Sequence, residues 1–164
     1  MDYDAQYEKV IKIDASIVQS MVACPHTVDN VKMASELNDV KVNQVFVGTC
    51  TNGRIEDLRV VAEVLKDKTV HPEVRLIIVP ASKDTYIQAS KEGLLDIFIQ
   101  AGANLLPSGC GPCVGVHGGI LGDGEVCLAT QNRNFQGRMG NTNGFIYLSS
   151  PYTAAKAAIN GYIS

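Results

Sequence analysis

The chain of 164 residues has no long apolar run, no cluster of basic residues and no internal linker or repeat. No stretch approaches the roughly 20 apolar residues of a membrane-spanning helix, and the first residues lack the basic and apolar regions of a signal peptide. The net charge is −3 and the basic residues are scattered, which argues against nucleic acid or an anionic membrane as a partner. These absences predict a cytoplasmic chain.

The composition predicts a single domain over residues 1–164. A domain of this length buries roughly 70% of the surface that its unfolded chain exposes. Hydrophobic residues make up 46% of the sequence and charged residues 19%, which excludes the composition of disordered proteins. The chain therefore has enough apolar material for one real core.

The five cysteines are an odd number, and a chain of this length does not need disulfides to stabilise its core. In a reducing compartment, metal binding or catalysis is a more common use of cysteine than a disulfide framework. Packing is predicted for Cys127, which lies in an apolar run, and for Cys24, which precedes a proline. The chemistry is therefore expected at Cys50, Cys110 and Cys113.

Apolar runs alternate with helical periodicity along the chain. Strands are predicted at residues 43–50, 74–82, 103–107, 125–130 and 144–150. Helices are predicted within residues 51–67, 83–102 and 151–164. This alternation predicts an α/β fold, a three-layer domain with a largely parallel sheet flanked by helices.

Capping residues support two of the helices. Ser82 and Ser150 are expected N-caps, and Gly102 lies just beyond the end of the second helix. The N-terminal part has less regular patterns. Residues 9–16 are predicted as a strand, residues 28–37 as a helix and residues 23–27 as an irregular link.

Cysteines or polar residues follow three of the predicted strands. Cys50 ends the first, Cys110 and Cys113 follow the third, and QNRNFQGR (residues 131–138) follows the fourth. Ligands of open α/β sheets bind outside the carboxyl ends of the strands. We therefore expect these three segments to converge at one edge of the sheet.

Cys110 and Cys113 lie in the glycine- and proline-rich run LLPSGCGPCVGVHGG, for which several uses are open. Two buried thiols beside a turn are the simplest. A redox dithiol normally opens a helix, which the many glycines disfavour, and a phosphate loop would need a lysine that is missing here. A structural zinc site needs four ligands, and Cys50 has no second cysteine or histidine beside it. His117 is a candidate fourth ligand.

An iron–sulfur cluster is a further possibility. Cubane clusters are usually held by four thiolates, so three cysteines would leave one iron open as a Lewis acid. Arg133 and Arg138, each by itself as easily a solvated surface charge, together suggest guanidinium forks that bind carboxylates. An open iron beside paired arginines suggests a hydroxy acid with two or three carboxylates as substrate.

Three motifs, VFVGTCTNGRIEDL, LLPSGCGPCVG and NRNFQGRMG, closely resemble those of the aconitase superfamily, in particular the large subunits of 3-isopropylmalate dehydratase and homoaconitase. The segment ACPHTVDNV also resembles those large subunits. The resemblance covers nearly the whole chain, and three separate motifs in the right order make it specific.

The resemblance implies a [4Fe–4S] cluster and a hydro-lyase reaction. The family isomerises a hydroxy acid by removing water and adding it back with the hydroxyl moved, as between 2- and 3-isopropylmalate in leucine biosynthesis. Cluster ligands implied by position are Cys50, Cys110 and Cys113, and substrate-binding residues are Arg133, Arg138 and Asn132.

The resemblance also implies missing parts. Large subunits carry two further α/β domains, and the catalytic base lies on a swivelling domain that is often a separate small subunit. We therefore expect this chain to be the third, cluster-binding domain, a truncated piece without a catalytic residue that does not turn over substrate alone. A fragment of a homoaconitase large subunit and a non-catalytic zinc or dithiol module are the alternatives.

Overall fold

The computed structural model describes residues 4–164, which form one seven-stranded sheet and four α-helices. The strands are β1 (Met21–Ala23), β2 (Val31–Met33), β3 (Gln44–Gly48), β4 (Arg75–Val79), β5 (Asn104–Leu105), β6 (Val126–Ala129) and β7 (Phe145–Leu148). The helices are α1 (Ile55–Leu65), α2 (Lys83–Lys91), α3 (Leu94–Ala101) and α4 (Pro151–Asn160). Short 3₁₀ turns are Ala15–Ile17, Ala34–Glu36 and Gly111–Val114.

The sheet has the order β2-β1-β7-β6-β3-β4-β5. The five strands from β7 to β5 are parallel, and β1 and β2 add an antiparallel edge. The central strands β3 and β4 pair along their full length, from Gln44 opposite Arg75 to Gly48 opposite Val79. Buried parallel strands require nearly continuous apolar runs, which both sequences supply. The predicted α/β class with a largely parallel sheet is confirmed.

The two faces of the sheet are covered differently. Val45 and Val47 point into a larger core to which all four α-helices contribute buried side chains. Phe46 points the other way, into a smaller core closed by Leu121 and Met139. These two residues belong to loops 106–125 and 130–144, which we call the cysteine loop and the arginine loop. The layer on this face is thus made of loops and the Gly111–Val114 turn, whereas helices were expected.

Most predicted boundaries hold to within a few residues, and the predicted caps are confirmed. Ser82 and Ser150 each accept a hydrogen bond from a first-turn amide, at 3.2 Å in both helices, and Gly102 ends α3. The prediction of a single helix over residues 83–102 is wrong. Gly93, with φ +73°, separates α2 from α3, because glycine adopts the left-handed conformation that stops a helix.

The N-terminal predictions are also wrong. Residues 9–16 form no strand and are exposed. Residues 28–37 contain β2 and a 3₁₀ turn in place of a helix, because Val31 and Met33 pair with Ala23 and Met21 of β1. Strand pairing has overridden a short helix-like pattern.

Two further features concern the surface. Residues 4–20 are exposed throughout, and their large apolar side chains are 60–77% exposed. These side chains are Tyr7, Val10, Ile11, Ile13, Ile17 and Val18. No helix of the described chain is long and apolar enough to cross a membrane.

Candidate functional site

Three segments leave the carboxyl ends of parallel strands at the same edge of the sheet. Residues 49–54, which we call the Cys50 turn, follow β3 and lead into α1. The cysteine loop follows β5, and the arginine loop follows β6. The predicted convergence of these segments can be tested on their contacts with one another.

The end of β3, directly before the Cys50 turn, is hydrogen-bonded to Thr130 at the start of the arginine loop. The Gly48 amide donates to the Thr130 hydroxyl at 3.0 Å, and that hydroxyl lies 3.2 Å from the Gly48 carbonyl oxygen. Thr49 has φ +105°, a conformation that side chains rarely adopt, so the chain turns sharply where β3 ends. Cys50 follows this turn and is exposed.

Asn132 also lies against the Cys50 turn. Its side-chain oxygen accepts hydrogen bonds from Asn52 Nδ2 at 2.8 Å and from the Thr51 hydroxyl at 3.0 Å. Asn52 Nδ2 donates in addition to the Thr130 carbonyl oxygen. The structure thus brings the predicted substrate residue Asn132 to the turn that carries Cys50.

Cys110 directly precedes the short 3₁₀ turn Gly111–Val114, and Cys113 lies within it. The Cys113 amide donates to the Cys110 carbonyl oxygen at 2.8 Å, which fixes their spacing. Cys110 is exposed, whereas Cys113 is half-buried against the smaller core. His117 is exposed and its ring lies beside Gly111.

The cysteine loop and the arginine loop are in direct contact. A Cβ atom at Gly115 would lie 2.2 Å from the Gly140 nitrogen, so the two backbones touch. Arg138 Nη2 donates to Cys113 Sγ at 3.4 Å, and the Arg138 guanidinium lies 5.6 Å from the centre of the Phe135 ring. Contacts therefore join the arginine loop to both cysteine-bearing segments.

Arg133 differs from Arg138. Its side chain is exposed and makes no hydrogen bond or ion pair with any residue from 4 to 164. Its backbone oxygen accepts from Gln131 Nε2 at 2.9 Å. The guanidinium of Arg133 is available to a ligand, while that of Arg138 is already placed on a thiol.

Sequence reasoning missed two buried amides in the arginine loop. Gln131 is 3% exposed and Asn134 is 1% exposed. Asn134 Nδ2 donates to the carbonyl oxygens of Cys24 at 2.8 Å and Thr27 at 3.3 Å. Asn134 lies in the motif NRNFQGRMG and its two acceptors lie in ACPHTVDNV, but nothing in either pattern indicates that the two segments meet.

The remaining cysteines are buried, as predicted. Burial raises the pKa of the Cys127 thiol to about 12 and also raises the pKa of Cys24. Both are neutral thiols near pH 7, and the thiolate is the form that binds metals. The ring of His26 lies 5.7 Å from the ring of Phe145.

The thiols of the site can be compared with what a metal ion or an iron–sulfur cluster needs as ligands. No three or more His, Cys, Asp or Glu side chains between residues 4 and 164 are placed to hold a single metal ion. An iron–sulfur cluster is bound at separate irons, and the site has thiols on two segments, one of which is the glycine-rich cysteine loop. Arg138, whose side chain contacts Cys113, has a buried Nε that donates to no acceptor in the described chain. A bound group with hydrogen-bond acceptors of its own would satisfy this donor. The donor chemistry of these residues fits a cluster.

The sequence profile of the aconitase family (aconitate hydratase) matches residues 29–161. The chain belongs to the aconitase family. Members of the aconitase family generally bind a [4Fe–4S] cluster. The resemblance deduced from the three motifs is thus confirmed, and the match contains all three motifs and the last three residues of ACPHTVDNV.

Individual aconitase-family relatives are large subunits. The chain is 71% identical over 163 residues to the 3-isopropylmalate dehydratase large subunit of Elusimicrobium minutum, covering 99% of this chain and 39% of the relative. It is 53% identical over 161 residues to the methanogen homoaconitase large subunit of Methanocaldococcus jannaschii, covering 98% and 38%. It is 53% identical over 165 residues to 3-isopropylmalate dehydratase large subunit 1 of Thermotoga maritima, covering 99% and 40%. The chain spans well under half of each relative.

Proposed function

We propose that this chain is the cluster-binding part of a hydro-lyase of the 3-isopropylmalate dehydratase kind. The observation that carries the proposal is the meeting of thiols and candidate substrate groups at one sheet edge. Asn132 contacts the Cys50 turn, and Arg138 contacts Cys113. The 71% identity to a 3-isopropylmalate dehydratase large subunit supports the same conclusion.

Cys50, Cys110 and Cys113 would hold a [4Fe–4S] cluster. Cys50 and Cys110 are exposed and Cys113 is half-buried, so each thiol is accessible for ligation. When bound, the cluster supplies an open iron that acts as a Lewis acid on the hydroxyl and a carboxylate of the substrate. Three thiols would hold three of the irons, so this chain would supply no cysteine to the fourth.

Arg133, Arg138 and Asn132 would bind the substrate. The exposed Arg133 guanidinium offers a free fork for a carboxylate, and Arg138 is oriented by Cys113 and Phe135. A fixed positive charge stabilises negative charge that develops on a carboxylate in the transition state. We assign no catalytic residue within this chain and infer that the base comes from another domain or subunit.

The substrate would be a 2- or 3-hydroxy acid with two or three carboxylates. Dehydration and rehydration of such an acid interconverts 2- and 3-isopropylmalate, a step of leucine biosynthesis. Because the relatives are named large subunits, we infer a small-subunit partner, and the free cysteines suit the reducing cytoplasm. The 53% identity to a homoaconitase large subunit supports homocitrate as the alternative substrate.

Anaerobic reconstitution with iron and sulfide tests the cluster. The chain should gain a visible absorption band that Cys50→Ala, Cys110→Ala and Cys113→Ala each abolish. Cys24→Ala and Cys127→Ala are matched controls, because these buried thiols lie outside the ligand set, and both should keep the band. A band that survives in all three ligand variants would refute the proposal, and stoichiometric zinc without sulfide would favour the zinc or dithiol module.

The substrate class is tested on the loaded chain. Adding 3-isopropylmalate should alter the electron paramagnetic resonance spectrum of the reduced cluster, because the acid would reach the open iron and the arginines. Homocitrate is the comparison acid, and Arg133→Met should weaken the response to either. A spectrum that neither acid changes would contradict substrate binding by this chain.

A further inference from the structure

The contact between Arg138 and Cys113 is unusual for an arginine expected to bind substrate. Its Nη2 donates to the Cys113 sulfur at 3.4 Å, within the range of a hydrogen bond to sulfur. Between residues 4 and 164, Cys50 and Cys110 receive no comparable side-chain donor. Cys113 thus differs from the other two proposed ligands in its hydrogen bond from a positively charged side chain.

The fold holds this guanidinium in place. The Arg138 amide donates to the Phe135 carbonyl oxygen at 3.0 Å, and the Phe135 ring lies against the guanidinium. Two residues further on, Gly140 packs its backbone on Gly115 of the cysteine loop. These contacts anchor the arginine on both sides, so the bond to Cys113 follows from how the two loops pack.

The Arg138 side chain also has an unsatisfied hydrogen-bond donor. Arg138 Nε is buried and has no acceptor within the described chain. A buried donor without a partner is costly, and it is found where a bound group supplies the acceptor. Beside a cysteine ligand, a sulfur-rich group is such an acceptor.

We propose that Arg138 acts on the cluster as well as on the substrate, holding Cys113 as a ligand and raising the reduction potential of the cluster. Reduction adds one negative charge, which a nearby guanidinium and an N–H···S bond stabilise. The bond also opposes departure of Cys113, so it slows loss of the cluster. This inference rests on the proposed function, since it requires that Cys113 be a cluster ligand.

The test compares Arg138→Met, Arg138→Lys and Arg133→Met in the 164-residue chain loaded anaerobically with iron and sulfide. The midpoint potential is measured by titration with dithionite, which supplies the electron, and followed by electron paramagnetic resonance. The rate of cluster loss is measured with an iron chelator. Arg133→Met is the matched control, because it removes the same charge from the same loop without touching a cysteine.

Arg138→Met should lower the midpoint potential and speed cluster loss about tenfold or more, as expected for losing a charged hydrogen bond. Arg138→Lys keeps the charge but loses the planar fork, so its values should fall between those of Arg138→Met and the unaltered chain. Arg133→Met should change both measurements clearly less than Arg138→Met does, because Arg133 makes no hydrogen bond to a cysteine. Circular dichroism and thermal unfolding of the cluster-free variants check that each one is folded.

The outcomes separate the two proposals. If the unaltered chain loads no cluster, the proposed function fails and the inference fails with it. If it loads but Arg138→Met keeps the same potential and chelation rate, only the inference is overturned. An equal shift in Arg133→Met would also overturn it, because overall charge would then be the cause.

Discussion

At Gly115, the backbone of the cysteine loop passes so close to Gly140 that a methyl group does not fit. A Cβ atom there would lie 2.2 Å from the Gly140 nitrogen and 2.5 Å from its Cα. Gly124 has a similar φ of +74°, against +68° at Gly115, but no atom lies within 4 Å of its Cβ position. The two glycines therefore separate the cost of left-handed backbone from the cost of a steric clash.

Gly115→Ala should be the more damaging of the two substitutions. Gly124→Ala should lower the free energy of unfolding by about 1 kcal/mol, the cost of a left-handed alanine. Gly115→Ala carries the same cost and must also separate the two loops, so it should lose more stability and load less cluster. Urea unfolding and the visible band measure both effects. Equal losses in the two variants would show that the loops are free to move apart.

Cys127 makes the stability of the chain depend on pH. Folding raises its pKa from 9.0 to about 12, because burial disfavours the thiolate. The neutral thiol is therefore the form that the fold favours. The stability that this group contributes is complete below pH 9 and is lost as the pH rises towards 12.

Urea unfolding between pH 8 and 10.5 should show this loss. The free energy of unfolding should fall above pH 9 by up to about 1.4 kcal/mol per pH unit, and Cys127→Ala should flatten the slope. Cys24 and Tyr147 also have raised pKa values, but they are present in both proteins, so the difference isolates Cys127. A slope that Cys127→Ala does not alter would refute the assignment.

Among the strands and helices, prediction from the sequence is most accurate where a single local pattern is strong. The apolar runs of β3 and β4 and the serine caps of α2 and α4 were predicted because each depends on neighbouring residues alone. Gly93 was read as a helix interior, although its left-handed conformation splits the helix. Residues 28–37 were misread because their structure depends on β1, a partner that local periodicity does not reveal.

The candidate site likewise has features that neighbouring residues indicate and features that depend on residues distant in the sequence. Residue type alone suggests the three cysteines and both arginines as candidates, and the parallel topology accounts for the common sheet edge of their segments. The contact of Arg138 with Cys113 and the burial of Asn134 were not found, because both depend on how loops distant in sequence pack. Side-chain partners across loops carry no local signal in a single sequence.

Asn134 links the arginine loop to the turn after β1. Asn134→Ala removes the hydrogen bonds to the Cys24 and Thr27 carbonyl oxygens, and it should lower the free energy of unfolding by about 1–3 kcal/mol. Asn38→Ala, at an exposed position, is the control and should change stability by no more than about 0.5 kcal/mol. Thermal and urea unfolding measure both. A neutral Asn134→Ala would mean that this link carries no stability.

At the scale of the whole molecule, the two chain ends contribute very differently. Residues 4–20 are exposed and contribute no side chain to either core. The last residues pack tightly: Ile163 is fully buried, its amide donates to the Val40 carbonyl oxygen at 3.0 Å, and Tyr162 pairs with Lys41. The fold therefore depends on residues after α4 but not on the exposed segment before β1.

Shortening the chain at each end should show this contrast. Removal of residues 1–18 should leave the free energy of unfolding within about 0.5 kcal/mol, because residues 4–18 contribute no side chain to either core. Removal of residues 162–164 takes Ile163 out of the core and should cost about 2 kcal/mol or more. Urea unfolding measures both. A large loss from the first deletion would show that the exposed segment contributes to the stability of the fold.

The smaller core is closed by the same loops that carry the site, through Leu121, Met139 and Cys113. No α-helix of the described chain covers this face, so the loops cannot move away without exposing Phe46 and Ile77 of the sheet to water. Amide protons of the cysteine loop and the arginine loop should accordingly exchange with solvent together, in one cooperative opening. A ligand that fastens these loops to each other would then protect amides in both at once, well beyond the residues it touches.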